Sequence, residues 1–306
     1  MTEQNAPKAR GHVVVAVDGS PAADNAVDWA ADEAALRGVD LEILHAWEWK
    51  AYEASEWYGF ILHNQGTETV QAAAERARRR RPEVKVTTTV EHGQAADILT
   101  GAAERAGLLV MGNRGRGGFA GLLLGSVGRA VAAEGRGPLL VVRSGTDGSA
   151  QPPFDEDYFR IDTRPVVVGV SGEWCRPAVE AAFAEAAARK QRLHAVHAWS
   201  FPDLPVYGVA AQPGPTAEAI RTCQQNGEAI LSRTLSEVRD HYKDVLVDED
   251  VVNRRRAHAM VEASKGASMV VIATRHREGR VGRHLGPVTH ALLHHAHAPV
   301  LLVPVD

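Results

Sequence analysis

Cysteine is nearly missing from this chain, with Cys175 and Cys223 the only two among 306 residues. Two cysteines fit no disulfide framework or cysteine-rich metal site, so free thiols in a reducing compartment are expected. No run approaches the ~20 apolar residues that span a bilayer. The opening residues, MTEQNAPKARGHVVVAVDGS, lack the apolar core of a secretory signal, because their short apolar run leads straight into a turn. A cytoplasmic protein with no membrane segment is the expectation. One-sided charge is also lacking: the formal net charge is -4, which gives no global basic field to draw in nucleic acid or an anionic membrane. One local run, Arg78 to Arg81, reads as the solvated end of a helix stopped by Pro82. Enzyme signatures are missing too. There is no Walker Gly-x4-Gly-Lys-Ser/Thr, no nucleophile elbow and no HExxH.

What is present is an ordinary globular composition, 45% hydrophobic and 24% charged, able to bury a core. A prior of ~150 residues per domain divides the chain into two. The second half also repeats the first. At a constant offset of 161, Val110 matches Val271, Arg114 matches Arg275 and Gly118 matches Gly279. The same offset pairs Gly121 with Gly282, Leu124 with Leu285, Gly125 with Gly286 and Pro138 with Pro299. Two copies are visible, so this is a duplicated domain and not a solenoid.

Each copy alternates strand and helix. HVVVAVD, from His12, is a continuous Val-rich run, as a strand buried on both faces should be. Ser20 and Pro21 supply an N-cap and a first-turn proline, and Gly38 can stop the helix between them. LEILHAW follows as a strand, then a helix over about 67–81, the strand VKVTTTVEH, a helix over about 94–106, and LLVMG. A Gly-rich loop leads to a helix from Ser126 and the strand PLLVV. The second copy runs PVVVGVS, LHAVHAW, DVLVDEDVV, MVVIAT and PVLLVPV, with helices between. This pattern predicts an α/β fold with parallel sheets and helices on both faces. Residues 144–163, rich in Gly, Pro, Ser and Asp, read as a linker between domains at 1–143 and 164–306. The aromatic crossover EWKAYEASEWYGFILH, from Glu48, is open to two readings: a lid or partner surface, or a segment covering the core.

One loop carries chemistry. After LLVM come Gly112, Gly115, Gly125 and Ser126, spaced Gly-x2-Gly-x9-Gly-Ser. Glycines permit left-handed backbone and close ligand approach. Successive N–H groups in such a loop form an anion-binding concavity, and a helix starting at Ser126 adds its positive end. Arg114 and Arg116 bring cationic charge. A plain flexible loop is the alternative. In open parallel sheets, ligands sit beyond the carboxyl ends of strands where the order reverses, which singles out Asp18 and Gly112. Asp18 could accept from an amine or a hydroxyl, or could simply cap the first helix with Ser20.

VAVDGS together with this loop resembles the nucleotide-binding universal stress protein family, over nearly the whole chain and twice. The resemblance implies two tandem open parallel five-stranded sheets, order 3-2-1-4-5, of the adenine-nucleotide α-hydrolase-like type. It implies an adenine pocket at Ala16, Val17, Asp18 and Ala46, and triphosphate contacts from Met111, Gly112, Gly115, Gly125, Ser126 and Val127, with Arg114 beside them. ATP is the implied ligand, with Mg²⁺ or Mn²⁺ bridging its phosphates. It also implies that the last strands of the two domains pair as an intrachain pseudo-dimer, and a homodimer of chains is a further expectation. Every position of the family loop is met in the first copy.

The second copy departs from it. Gly112 becomes Ala273, Gly115 becomes His276, Ser126 becomes Pro287 and Asp18 becomes Ser171. Each lost charged hydrogen bond removes ~1.5–3 kcal/mol, so useful nucleotide affinity should vanish there. The second domain is then expected to act mainly in assembly, although its remaining arginines leave a different anion open. His290 and His294, four apart, permit shared metal ligation, but no carboxylate completes a set, and polar positions at a helix end explain them equally. Three function classes follow. The leading one is an ATP-binding stress regulator with an unidentified protein partner and slow or no hydrolysis. The others are a ligand-free interaction scaffold and a weak ATPase or nucleotidyl enzyme.

Overall fold

The computed structural model describes residues 11–48, 56–115, 124–143, 162–201, 216–275, 278–279, 282–283 and 285–305. The first half runs β1 (Val13–Ala16), α1 (Pro21–Arg37), β2 (Leu41–Trp47), α2 (Glu56–Arg80), β3 (Val86–His92), α3 (Ala95–Arg105), β4 (Leu108–Gly112), α4 (Ser126–Glu134) and β5 (Leu139–Val142). The second runs β6 (Val166–Gly169), α5 (Arg176–Arg189), β7 (Leu193–Trp199), α6 (Ala217–Arg239), β8 (Val247–Asn253), α7 (Arg256–Ala263) and β9 (Met269–Arg275). Two short strands, β10 (Glu278–Gly279) and β11 (Gly282–Arg283), precede α8 (Pro287–His295) and β12 (Val300–Val305). That small antiparallel hairpin stands where the sequence suggested only a loop.

Each half has the expected order, β3-β2-β1-β4-β5 and β8-β7-β6-β9-β12, with parallel pairing throughout. The halves join edge to edge. β5 and β12 pair antiparallel, Val300 opposite Val141 and Leu302 opposite Leu139, and one ten-stranded sheet results. Pairing covers two apolar edges that would otherwise be open to association.

Alternation along the strands feeds two cores. Val13 and Val15 of β1 join a cluster under α1, α2, α5 and α6, while Val14 joins one under α3, α4, α7 and α8. Both clusters run through both halves. Local signals set the helix ends. Ser20 Oγ accepts from Ala23 N at 3.2 Å, Pro21 sits in the first turn, and Gly38 stops α1 at φ 63°. The helix α2 starts at Glu56, well before the expected 67, so helical backbone extends into the aromatic crossover. The rest of that crossover, residues 49–55, and most of the 144–163 linker lie outside the described residues.

The basic run is not simply solvated. Arg80 grips Asp32 of α1 through Nε and Nη2 at 3.0 and 2.7 Å, and Arg81 Nε reaches the same carboxylate at 2.6 Å. Asp32 is buried, so these arginines neutralise a core-facing acid and fasten α2 to α1. A second cluster ties the halves together. Glu33 and Arg37 of α1 meet Glu185 and Arg189 of α5, each arginine contacting both carboxylates.

Candidate functional site

β1 and β4 lie side by side, and the chain leaves them toward opposite edges of the sheet, β1 toward β2 and β4 toward β5. A crevice opens beyond their carboxyl ends. It holds a cavity of about 550 Å³. Ala16, Val17, Asp18, Ala46, Met111, Gly112, Arg114, Gly115, Gly125, Ser126 and Val127 all line it. The structure therefore brings together every residue singled out from the sequence for this site, apart from Arg116, which lies outside the described residues.

The glycines act differently from the expectation. Among the described glycines, positive φ occurs at Gly11, Gly19, Gly38, Gly93 and Gly172, but not at Gly112, Gly115 or Gly125. Their use lies in the missing Cβ. One added at Gly112 would lie 2.7 Å from the Ala22 carbonyl, so this glycine lets α1 pack against β4. One added at Gly115 would lie 2.5 Å from Asp18 Oδ2. At Gly125 it would meet nothing within 4 Å. Gly125 caps α4 without a side chain, and its own N–H donates to the Asn113 carbonyl at 3.1 Å. The following first-turn N–H groups, from Ser126 onward, have no side-chain cap and form the positive end that favours an anion.

The strand ends are braced from behind. Asp18 Oδ1 accepts from Ser20 N at 3.0 Å, which is the capping role considered for it. His45 Nδ1 is 2.7 Å from the Val17 carbonyl, and since a carbonyl only accepts, Nδ1 carries the proton. Gly66 of α2 makes room for this ring: a Cβ there would sit 2.8 Å from His45 Cδ2. The second half repeats the device with His197 on the Val170 carbonyl at 3.0 Å and Gly227 of α6 beside the ring.

Several lining residues had no signal in the sequence. Leu44, Ala95, Leu99 and Leu124 make apolar wall, and Asn113, Gly128 and Arg129 flank the loop. His294 also lines the cavity, although it belongs to α8 of the second half. Cations crowd this end. Burial, then the neighbouring Arg114, hold the Arg143 guanidinium below its ordinary value, and its buried Nη1 has no hydrogen-bond partner among the described residues. Burial likewise holds His294 below the usual imidazole value, assisted by His290, His295, Arg129 and Arg143. The His290 and His294 rings stack with centroids 4.3 Å apart. An anion placed here would relieve the mutual repulsion. For a cation carried by such an anion, Asp18 and Ser126 offer oxygen donors of the type Mg²⁺ or Mn²⁺ prefers. Among the described residues, no group of three or more His, Cys, Asp or Glu could hold a metal.

The second half has its own cavity, about 670 Å³, at the corresponding strand ends. Ser171, Ala273 and Pro287 line it, while His276 lies outside the described residues. With Ala273 where the first half has Gly112, the helix facing it opens through a 3-10 turn, Glu173–Cys175, and not directly as α1 does.

The profile of the Universal stress protein family matches residues 9–143 and again residues 163–304. A universal stress protein of Mycobacterium tuberculosis is 32% identical over 318 residues, covering 96% of each chain. A relative of the same name from Mycolicibacterium smegmatis is 31% identical, covering 95% of this chain and 96% of its own. Among solved structures, a universal stress protein from Archaeoglobus fulgidus aligns at a TM-score of 0.66 and 15% identity, covering 98% of this chain and 99% of that one.

Proposed function

The chain belongs to the universal stress protein family, and on that footing we propose that its first repeat binds ATP and acts as a regulator rather than as a fast enzyme. The observation that carries this reading is the cavity in which eleven residues, most of them implied by the family resemblance, converge beside the uncapped start of α4. The apolar end, with Ala16, Val17, Leu44, Ala46 and Leu99, suits a flat base, and Asp18 offers an acceptor for an amine or a ribose hydroxyl. The opposite end, with Arg114, Arg129, His294 and the first-turn N–H groups of α4, suits a polyphosphate. Mg²⁺ or Mn²⁺ would arrive with the phosphates, held by them and by the Ser126 hydroxyl, and would supply charge neutralisation. The sequence carries neither a Walker motif nor a nucleophile elbow, so hydrolysis is expected to be slow. A turnover well above ~1 per second would contradict the regulatory reading.

The test is to denature freshly purified protein and identify the released nucleotide by chromatography. Gly115→Val serves as the control, because its side chain collides with Asp18. About one ATP per chain, lost in a variant whose circular dichroism is unchanged, is the expected result. No nucleotide, even after incubation with ATP and Mg²⁺, would move the reading to a ligand-free interaction scaffold.

A further inference from the structure

The substitutions that erode the second loop do not close the space behind it, since the second cavity is larger than the first, about 670 Å³ against 550 Å³. Its charge also differs. The first lining includes a carboxylate, Asp18, whereas the second includes none among the described residues and has Ser171 in that place. Three arginines, Arg255, Arg256 and Arg275, line it instead. The Arg256 Nε–H donates to the Ala198 carbonyl at 3.3 Å. The Arg275 guanidinium lies 4.1 Å from the centroid of the Trp174 ring, which holds the cation in place without neutralising it.

Trp199 lines the same cavity. It is 8% exposed, and its buried Nε1–H has no hydrogen-bond partner among the described residues. A buried donor left unmatched is costly, and an acceptor on a ligand would remove that cost. The lining therefore suits three things: an anionic group beside Arg275, an acceptor for the indole, and a flat apolar body against Val170, Met260 and Ile272. It also discriminates against nucleotides. Ser171 removes the carboxylate that would take a ribose, and Pro287 removes one N–H from the helix start facing a phosphate.

We propose that the second repeat is a separate binding site for a small aromatic carboxylate, with Trp199 Nε1–H donating to the ligand and Arg275 facing its anionic group. The second repeat then senses a different ligand from the first, and is not merely an assembly partner for it.

The test uses the full chain labelled with ¹⁵N, whose six tryptophans contribute one indole N–H resonance each. Trp199→Phe identifies the relevant peak. Indole-3-carboxylate is the probe, with neutral indole, AMP and ATP titrated in parallel. A saturable shift of the Trp199 resonance by the carboxylate is expected, with indole much weaker. Arg275→Met should weaken the carboxylate roughly ten- to a hundredfold while leaving the folded spectrum intact. Three results would overturn the proposal. The Trp199 peak could stay still up to ~5 mM probe, indole could bind as well as its carboxylate, or AMP or ATP could bind there more tightly. Because the readout sits in the second cavity, it is independent of whether the first cavity takes ATP.

Discussion

Replacing Arg189 with methionine should expose how much the two halves depend on the charge cluster between α1 and α5. Arg189 contacts both Glu33 and Glu185, and the three side chains are 5%, 1% and 8% exposed. Burial pushes the Glu33 carboxyl above its ordinary range, while Arg189 and Arg37 outweigh burial at Glu185 and hold that carboxyl down. Without Arg189, two buried carboxylates share Arg37 alone. Removing one partner of a buried ion pair costs about 3–5 kcal/mol. A second route gives a similar figure. The variant can escape by protonating one carboxylate, which at pH 7 costs about 4 kcal/mol for a group with an unfolded pKa near 4.3. The escape costs only about 1 kcal/mol at pH 5. The sign follows: the remaining carboxylate has a folded pKa above its unfolded one, so the variant's deficit is largest at high pH and shrinks as pH falls. Guanidinium unfolding followed by circular dichroism at pH 7 and pH 5 reads both values. A loss below about 1 kcal/mol at pH 7, or a loss that does not change with pH, would refute the picture of a desolvated cluster. Replacing all four residues with apolar ones of similar volume should be neutral or stabilising by about 1–4 kcal/mol, since no charge is then left buried.

Gly66→Ala places a Cβ 2.8 Å from His45 and 3.2 Å from Val90, so crowding of about 1–3 kcal/mol should outweigh the ~1 kcal/mol gain in helix propensity. A rise in melting temperature would dismiss the brace behind Val17. His294→Gln should weaken ATP, and chiefly below pH 6.5. A phosphate would raise the His294 pKa, so binding takes up a proton and tightens as pH falls, against the opposing charges of His290, His295, Arg129 and Arg143. Isothermal titration of both proteins across pH checks this, because ATP's own titration is common to both, and parallel pH curves would remove His294 from the site. Partial burial opposes ionisation of Glu42, but hydrogen bonds from Arg105 and His12 bring it to about 2. Its folded value lies below its unfolded one, so its stabilisation is complete above about pH 4.5 and is lost as pH falls through about 2. Glu42→Gln should flatten that part of the acid unfolding curve, and an unchanged curve would show the pairing to be idle.

The sequence by itself determined the repeat, the alternation of strands and helices, and the loop that opens α4. These are local facts: Val-rich runs, a Ser-Pro helix start and the Gly-x2-Gly-x9-Gly-Ser spacing act over a few residues. The strand order and the candidate contact residues were legible only through the family resemblance, since periodicity says which face is buried but not which strands are neighbours. Other features belong to the tertiary structure alone. Gly112 has to be glycine because of the Ala22 carbonyl, a contact across 90 positions that no motif encodes. Arg80 and Arg81 look like a solvated helix end until α1 brings Asp32 against them. His294 reaches the first cavity, and Glu33 meets Arg189, only because β5 and β12 pair antiparallel in one register. That pairing fixes how one half is turned on the other, and it arises from edge hydrogen bonds and shared cores rather than from any local preference of the chain.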